Sequence, residues 1–246
     1  VELLDLAADL RLLATLHDRE TSAEILTALK ATRVEDLFDL PLVGDRGLDA
    51  FDFLERALAA TEVTKASLEE IAADHAAIYL THAHRVSPSE SPWIDPEGLF
   101  AQAPMFAVRE WYRHWGVEVP DWRSRPDDHL VVQLTFLAHL LGLTDNPNAA
   151  ADAARFLDLH LLRWIGPFAE GVAARCREPW WAALAHLTAV YVETLRDHLA
   201  VVTGVERVAI EPIEAEKQRL REEAAIAAGG PTCGTPAYVP GVAPSW

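Results

Sequence analysis

Three histidines in one short stretch are the first residues that could do chemistry. His75, His82 and His84 stand beside Asp74. A His-x-His pair with a third imidazole seven residues upstream is a conceivable metal site. However, His75 falls within a helical pattern, and the other two fall at its end. No carboxylate lies at a recognised ligand spacing, so the expectation is no metal. Helix-end or surface histidines explain these residues as well. Phosphate-cradling glycine loops, nucleophile elbows and dinucleotide fingerprints are all missing from the sequence. No catalytic residue is assigned. A metal-dependent helical enzyme using His75, His82 and His84 stays as an alternative.

A second constellation suits binding better than catalysis. Pro126-Asp127-Asp128-His129-Leu130 puts two acids and a histidine at the start of an apolar helix. One carboxylate is enough to cap a helix and meet its dipole. The second, with His129 beside it, is expected to form a polar cluster off the helix end. Carboxylates there can receive guanidinium forks. Eight tryptophans are present, including Trp93 in a polar loop and Trp111 and Trp115 one helical turn apart. An indole in a polar loop suits a contact surface. An apolar groove beside an acidic cluster would accept a peptide with arginines followed by a hydrophobic stretch.

The elements that must position these groups read as helix after helix. Leu3, Leu6, Leu10, Leu13 and Leu16 mark one face of a first helix. Ser67-Leu68-Glu69-Glu70 has the form of a capping box opening a second pattern. Phe106 to Trp115 predicts a helix that Gly116 ends. Asp127 is expected to cap the next helix, striped by Leu130, Leu134, Leu137 and Leu141 and ended by Gly142. Asn146-Pro147 opens another, expected to run to Trp164 and stop at Gly166-Pro167. Pro179 opens a long one to about Val202. The only strand candidate is Val205 to Ile210, and it is short.

Two loops interrupt this series. Val86 to Pro96 carries three prolines and three serines, which argue against a helix there. Val117 to Pro126 carries Trp122 between prolines. The expected architecture is all-α: a single bundle of about ten helices over residues 1–228, followed by an extended Pro/Gly-rich arm over 229–246.

Composition narrows the partners. The chain has 246 residues, is 50% hydrophobic and carries a net charge of -17. That field repels nucleic acid and anionic lipid and attracts cationic partners. An acidic helical interaction scaffold with an unrelated basic partner is therefore a further alternative. No run reaches the roughly 18 apolar residues of a membrane span. The first residues have no basic n-region, so no signal peptide is expected at this start. Two distant cysteines suggest a reducing compartment.

The order of these pieces resembles the TorD/DmsD (NarJ-like) family of redox enzyme maturation proteins. The resemblance rests on Ser91-Pro92-Trp93-Ile94-Asp95, then Gly98-Leu99-Phe100, Ala107-Val108-Arg109-Glu110-Trp111-Tyr112, Gly116 and Pro126-Asp127-Asp128-His129-Leu130. Phe156, His160-Leu161, Trp164 and Phe168 follow, and the similarity covers about Ser87 to Leu199. It implies an all-helical, TorD-like fold with no catalytic activity, and the absence of a phosphate-cradling glycine loop gives the expectation of no stably bound cofactor. It implies a cytoplasmic chaperone that binds the twin-arginine leader and the apo form of a molybdoenzyme catalytic subunit before export. Monomer and domain-swapped dimer both stay open. The leader-binding positions it implies are Trp93, Phe100, Trp111, Gly116, Asp127, Asp128 and His129. The C-terminal arm departs from the family pattern, and Pro92 before the loop tryptophan is a second departure.

Overall fold

A computed structural model describes residues 1–81 and 83–228. His82 and the arm over 229–246 lie outside the described residues. The described chain forms α1 (Leu3–Asp18), α2 (Ala23–Lys30), α3 (Gly44–Ala60), α4 (Lys65–His75), α5 (Ser91–Ile94), α6 (Ala103–His114), α7 (Leu130–Gly142), α8 (Pro147–Phe156), α9 (Leu162–Ala173), α10 (Pro179–Thr203) and α11 (Ile213–Ala228). A π-turn over Leu157–Leu161 joins α8 to α9, so these two read as one continuous helix. The fold is all-α, and no strand occurs among the described residues.

The leucine stripe of the first helix does what its spacing requires. Leu6, Leu10, Leu13 and Leu16 are buried, and α1 packs along α7. The central helix α10 packs on both α9 and α3. Its apolar residues recur around most of its circumference, and both Trp180 and Trp181 are buried. Buried side chains from α1 to α10 join in one continuous cluster.

Several boundaries differ from the sequence pattern for identifiable reasons. α4 begins at Lys65, because the Thr64 hydroxyl caps it by accepting from Ser67 N at 3.3 Å. Ser67 therefore lies inside the first turn. The helix through Trp164 does not stop at Gly166-Pro167 but continues to Ala173. Proline forfeits one backbone bond there, while buried Trp164, Ile165, Phe168 and Val172 carry the apolar face past it. Within the Val86–Pro96 loop, Pro92 sits in the first turn of the short helix α5, where no intrahelical N–H is needed. Gly116 adopts φ +68° just after α6, the left-handed turn that ends a helix and favours glycine. Val205 to Ile210 forms no strand.

Candidate functional site

The start of α7 is built differently from a simple acidic cap. His129, not Asp127, is its N-cap residue, and its Nδ1 accepts from Val131 N at 3.2 Å. Leu130 N, another amide without a helical partner, donates to Pro88 O at 2.7 Å. Ser89 and His129 form an antiparallel bridge, and Glu90 N donates to Asp128 O at 3.1 Å. The Pro-Ser-Glu-Ser loop is thereby knitted to the helix start.

Asp128 does not point off the helix. It is fully buried, and one oxygen, Oδ2, receives Ser91 N at 2.8 Å and Ser91 Oγ at 2.5 Å. Its other oxygen, Oδ1, is buried with no hydrogen-bond partner among the described residues. Burial pushes the Asp128 carboxyl up to about 6, against the lowering effect of the Ser91 bonds; nearby Glu90 adds to the rise. Glu90 is buried as well. It accepts from Gln133 Nε2 at 2.9 Å and faces His160 Nδ1 at 3.2 Å. Removing the expected polar cluster from solvent follows from the loop, which closes over it.

Asp127 faces the opposite way. Its carboxylate receives Arg109 Nη2 at 2.7 Å, and its carbonyl accepts the Tyr112 hydroxyl at 2.8 Å. The Arg109 guanidinium also lies 5.0 Å from the Trp122 ring centroid and 5.4 Å from that of Phe106. The carboxylate thus already holds an internal guanidinium, which has aromatic faces beside it.

Two neighbouring cavities flank the Val117–Pro126 loop. One of about 490 Å³ brings Gly116 and Asp127 together with Arg109, Glu118 and Trp122. The other, about 600 Å³, is a largely apolar groove between that loop and α7. Val117, Val119, Pro120, Val131, Val132 and Phe136 form its walls, with Glu118 and Asp121 among its polar lining. Both cavities share Tyr112, Val117, Glu118 and Val119 as a common wall, so they lie side by side at the loop.

The remaining candidates are dispersed. Trp93 is half-buried, and its indole N–H donates to Ser87 O at 2.9 Å, which fixes the ring on its own loop. Phe100 is 42% exposed. Trp111 is half-buried and meets Phe156 edge-on at 5.9 Å between centroids. None of these three lines the two cavities beside Gly116. Spacing alone missed Arg109, Ser91, Glu90 and His160, whose partners lie 18 to 70 residues away. The valines of the 117–126 loop were the only local signal of the groove.

His75 lies in the core, stacked on Tyr79 at 4.9 Å and tilted against Trp181 at 5.3 Å. His84 Nε2 faces Asp74 at 3.5 Å. Among the described residues no group of three His, Cys, Asp or Glu side chains is placed to hold a metal. No described helix is long and apolar enough to cross a membrane.

The nitrate reductase delta subunit family matches residues 45–170, just over half of the chain, from α3 through most of α9. Chaperone protein TorD of Ferrimonas balearica is 30% identical over 142 residues, covering 56% of this chain and 64% of its own length. TorD of Vibrio cholerae is 30% identical over 132 residues, 50% of this chain and 60% of its own. TorD of Shewanella loihica is 26% identical over 188 residues, 74% and 87% respectively. The chain thus spans somewhat under two thirds of the first two of these relatives. The matched region contains the Ser-Pro-Trp loop, α6, both cavities and the sealed start of α7, and the chain belongs to the nitrate reductase delta subunit family.

Proposed function

We propose that this chain is a non-catalytic, cytoplasmic chaperone that binds the twin-arginine leader and the apo catalytic subunit of a molybdoenzyme before export. The observation that carries the reading is the pair of adjoining cavities beside the Val117–Pro126 loop. It is apolar along α7, and its charged lining sets Glu118, Asp121 and Asp127 beside Arg109, Arg113 and Arg125. A leader has the matching order of chemistry, a guanidinium pair followed by an apolar run. TorD-named relatives in the same family support it.

In this reading the leader's apolar segment lies against Val119, Val132 and Phe136. A leader guanidinium competes with Arg109 for Asp127, and Arg109 shifts onto the Phe106 and Trp122 faces. Gly116 leaves the cavity mouth open at the end of α6. Asp128 and His129 act by holding the loop and α7 in register. Trp93, Phe100 and Trp111 form a second contact area for the body of the client. The helical unit over 1–228 does the binding and holds no cofactor of its own. It acts as a monomer or as a dimer that exchanges helices across the 117–126 hinge.

Calorimetric titration with a twin-arginine leader, beside a Lys-Lys version and a scrambled control, tests the proposal. Preference for the Arg-Arg peptide supports it. Equal binding of all three peptides would reduce the groove to a general cation attractor and sink the leader reading.

A further inference from the structure

The sequence changes character sharply after α11. Residues 229–246 carry no charged side chain, in a chain whose net charge is -17. Four prolines there space the apolar and aromatic groups Tyr238, Val239, Val242 and Trp246. A proline-spaced segment loses little conformational freedom when an apolar groove receives it.

The described fold sets where this segment begins. α11 ends at Ala228, and Arg221 Nη2 near that end donates to Pro96 O at 3.0 Å. Leu220 lines a cavity with Pro104, so α11 passes the first turn of α6. The other end of α6 brings Arg109, Tyr112 and Gly116 to the Val117–Pro126 loop. From α11 the way to the apolar groove therefore runs along α6. Uncovered rings mark that way. Among the described residues the exposed phenylalanine, tyrosine and tryptophan rings are Phe100 (42%), Phe106 (52%) and Trp122 (37%). All three fall in sequence between Pro96 and the end of the loop that walls the groove. The route measures roughly 18 Å along α6 and roughly 12 Å along α7 from Val131 to His139. In an extended proline-type conformation the 18 residues after Ala228 span about 55 Å. The segment reaches the groove with length to spare.

We propose that residues 229–246 occupy the apolar groove of their own chain and exclude a leader until it displaces them. This rests on the leader reading of the groove. Tyr238, Val239 and Val242 take the walls formed by Val119, Val132 and Phe136. An uncharged segment meets no charge repulsion from Glu118 and Asp121, which also line the groove. Tethering gives it an effective concentration on the order of millimolar, so weak contacts suffice. It has no guanidinium with which to take Asp127, so the Arg109–Asp127 pair stays closed while the segment is seated. A twin-arginine leader makes both the apolar and the carboxylate contact and therefore outcompetes it. A peptide without the arginine pair gains only what the segment already has, so the segment filters against such chains.

The test uses the full chain carrying Tyr238→Asp and Val242→Asp, positions outside the helical unit over 1–228. Hydrogen exchange is read first, with no peptide present. Residues 117–122 should exchange at least threefold faster in the variant than in the unaltered chain, with α10 unchanged. A twin-arginine leader should then bind the variant at least fivefold tighter, and a Lys-Lys version should gain at least as much. Unchanged exchange over 117–122 would overturn the proposal. Protection that the unaltered chain loses on dilution would also overturn it, in favour of a segment supplied by a second copy. Faster exchange with unchanged leader affinity would overturn the exclusion. A leader that binds neither protein would sink the leader reading and the exclusion with it. Because exchange is read without a leader, failure of the segment to dock stays distinct from failure of the leader to bind.

Discussion

The two proline- and tryptophan-bearing loops look alike in composition and behave oppositely. The Val86–Pro96 loop is stitched down by Leu130 N to Pro88 O, Glu90 N to Asp128 O, both Ser91 bonds to Asp128, and Trp93 to Ser87. The Val117–Pro126 loop is held at its ends: Val117 N donates to Tyr112 O at 2.9 Å, and Arg125 pairs with Asp18. Its Trp122 is 37% exposed, and open cavities lie on both sides. Proline content and a single tryptophan in each therefore do not distinguish a latched loop from an open one. What distinguishes them is whether a buried carboxylate receives the loop's backbone.

The largest effect that could break this comparison is loss of the latch. Asp128→Ala leaves Ser91 N and Oγ buried without an acceptor, and should cost about 2–4 kcal/mol in denaturant unfolding. Asp128→Asn keeps an acceptor and should cost less, about 1 kcal/mol. If Asp128→Ala left stability unchanged while leader binding vanished, the latch reading would be wrong and direct contact right.

Next in size is the groove. Val119→Glu puts a charge on an apolar wall and should weaken leader binding at least tenfold by titration. Its thermal midpoint should change little, because Val119 is only half-buried. Arg109→Gln sharpens the same point with the opposite sign. Removing the internal guanidinium should tighten leader binding several-fold, at a stability cost of about 1 kcal/mol for the lost partly buried pair.

The smallest effect is on pH dependence, where two buried groups oppose each other. His17 is fully buried between Tyr79 Oη at 2.6 Å and Thr188 Oγ1 at 2.8 Å, and burial lowers its imidazole to about 3. A depressed histidine favours the fold above its unfolded value near 6.5, and that contribution is lost as pH falls toward 3. Asp128, raised to about 6 by burial, has the reverse sign. Its contribution is full below about 4 and is lost as pH rises through 6. Between pH 7 and 5 the two partly cancel. Asp128→Asn should therefore make the protein more acid-sensitive in that window, by about 1 kcal/mol in unfolding free energy. An unchanged pH profile would show that Asp128 ionises as freely in the fold as in the unfolded chain.

Much of the fold was legible because helical periodicity is a local property. The leucine stripes of α1 and α7, Asn146-Pro147, Pro179 and Gly116 each marked an element correctly. Pro167 misled, since its cost is one backbone bond while five buried apolar residues around it favour continuation. The site was less legible. Asp127 and Asp128 are adjacent in sequence, yet their surroundings come from α6 and from the Ser-Pro-Trp loop respectively. No local pattern at 126–130 could tell which carboxylate would be sealed. Arg109 and Ser91 carry no signal by themselves, because their roles exist only once α6 and the loop are packed. For the same reason nothing in the 213–228 stretch singled out α11 or showed how it attaches.

Hydrogen exchange with and without a twin-arginine leader peptide tests the central claim most directly, because it locates the peptide on one loop or the other. The account predicts new protection over residues 116–126 and the first turns of α7, with the already latched 87–94 segment unchanged. Protection confined to residues 87–100, with 116–126 unaffected, would contradict it and place the leader on the Trp93–Phe100 face.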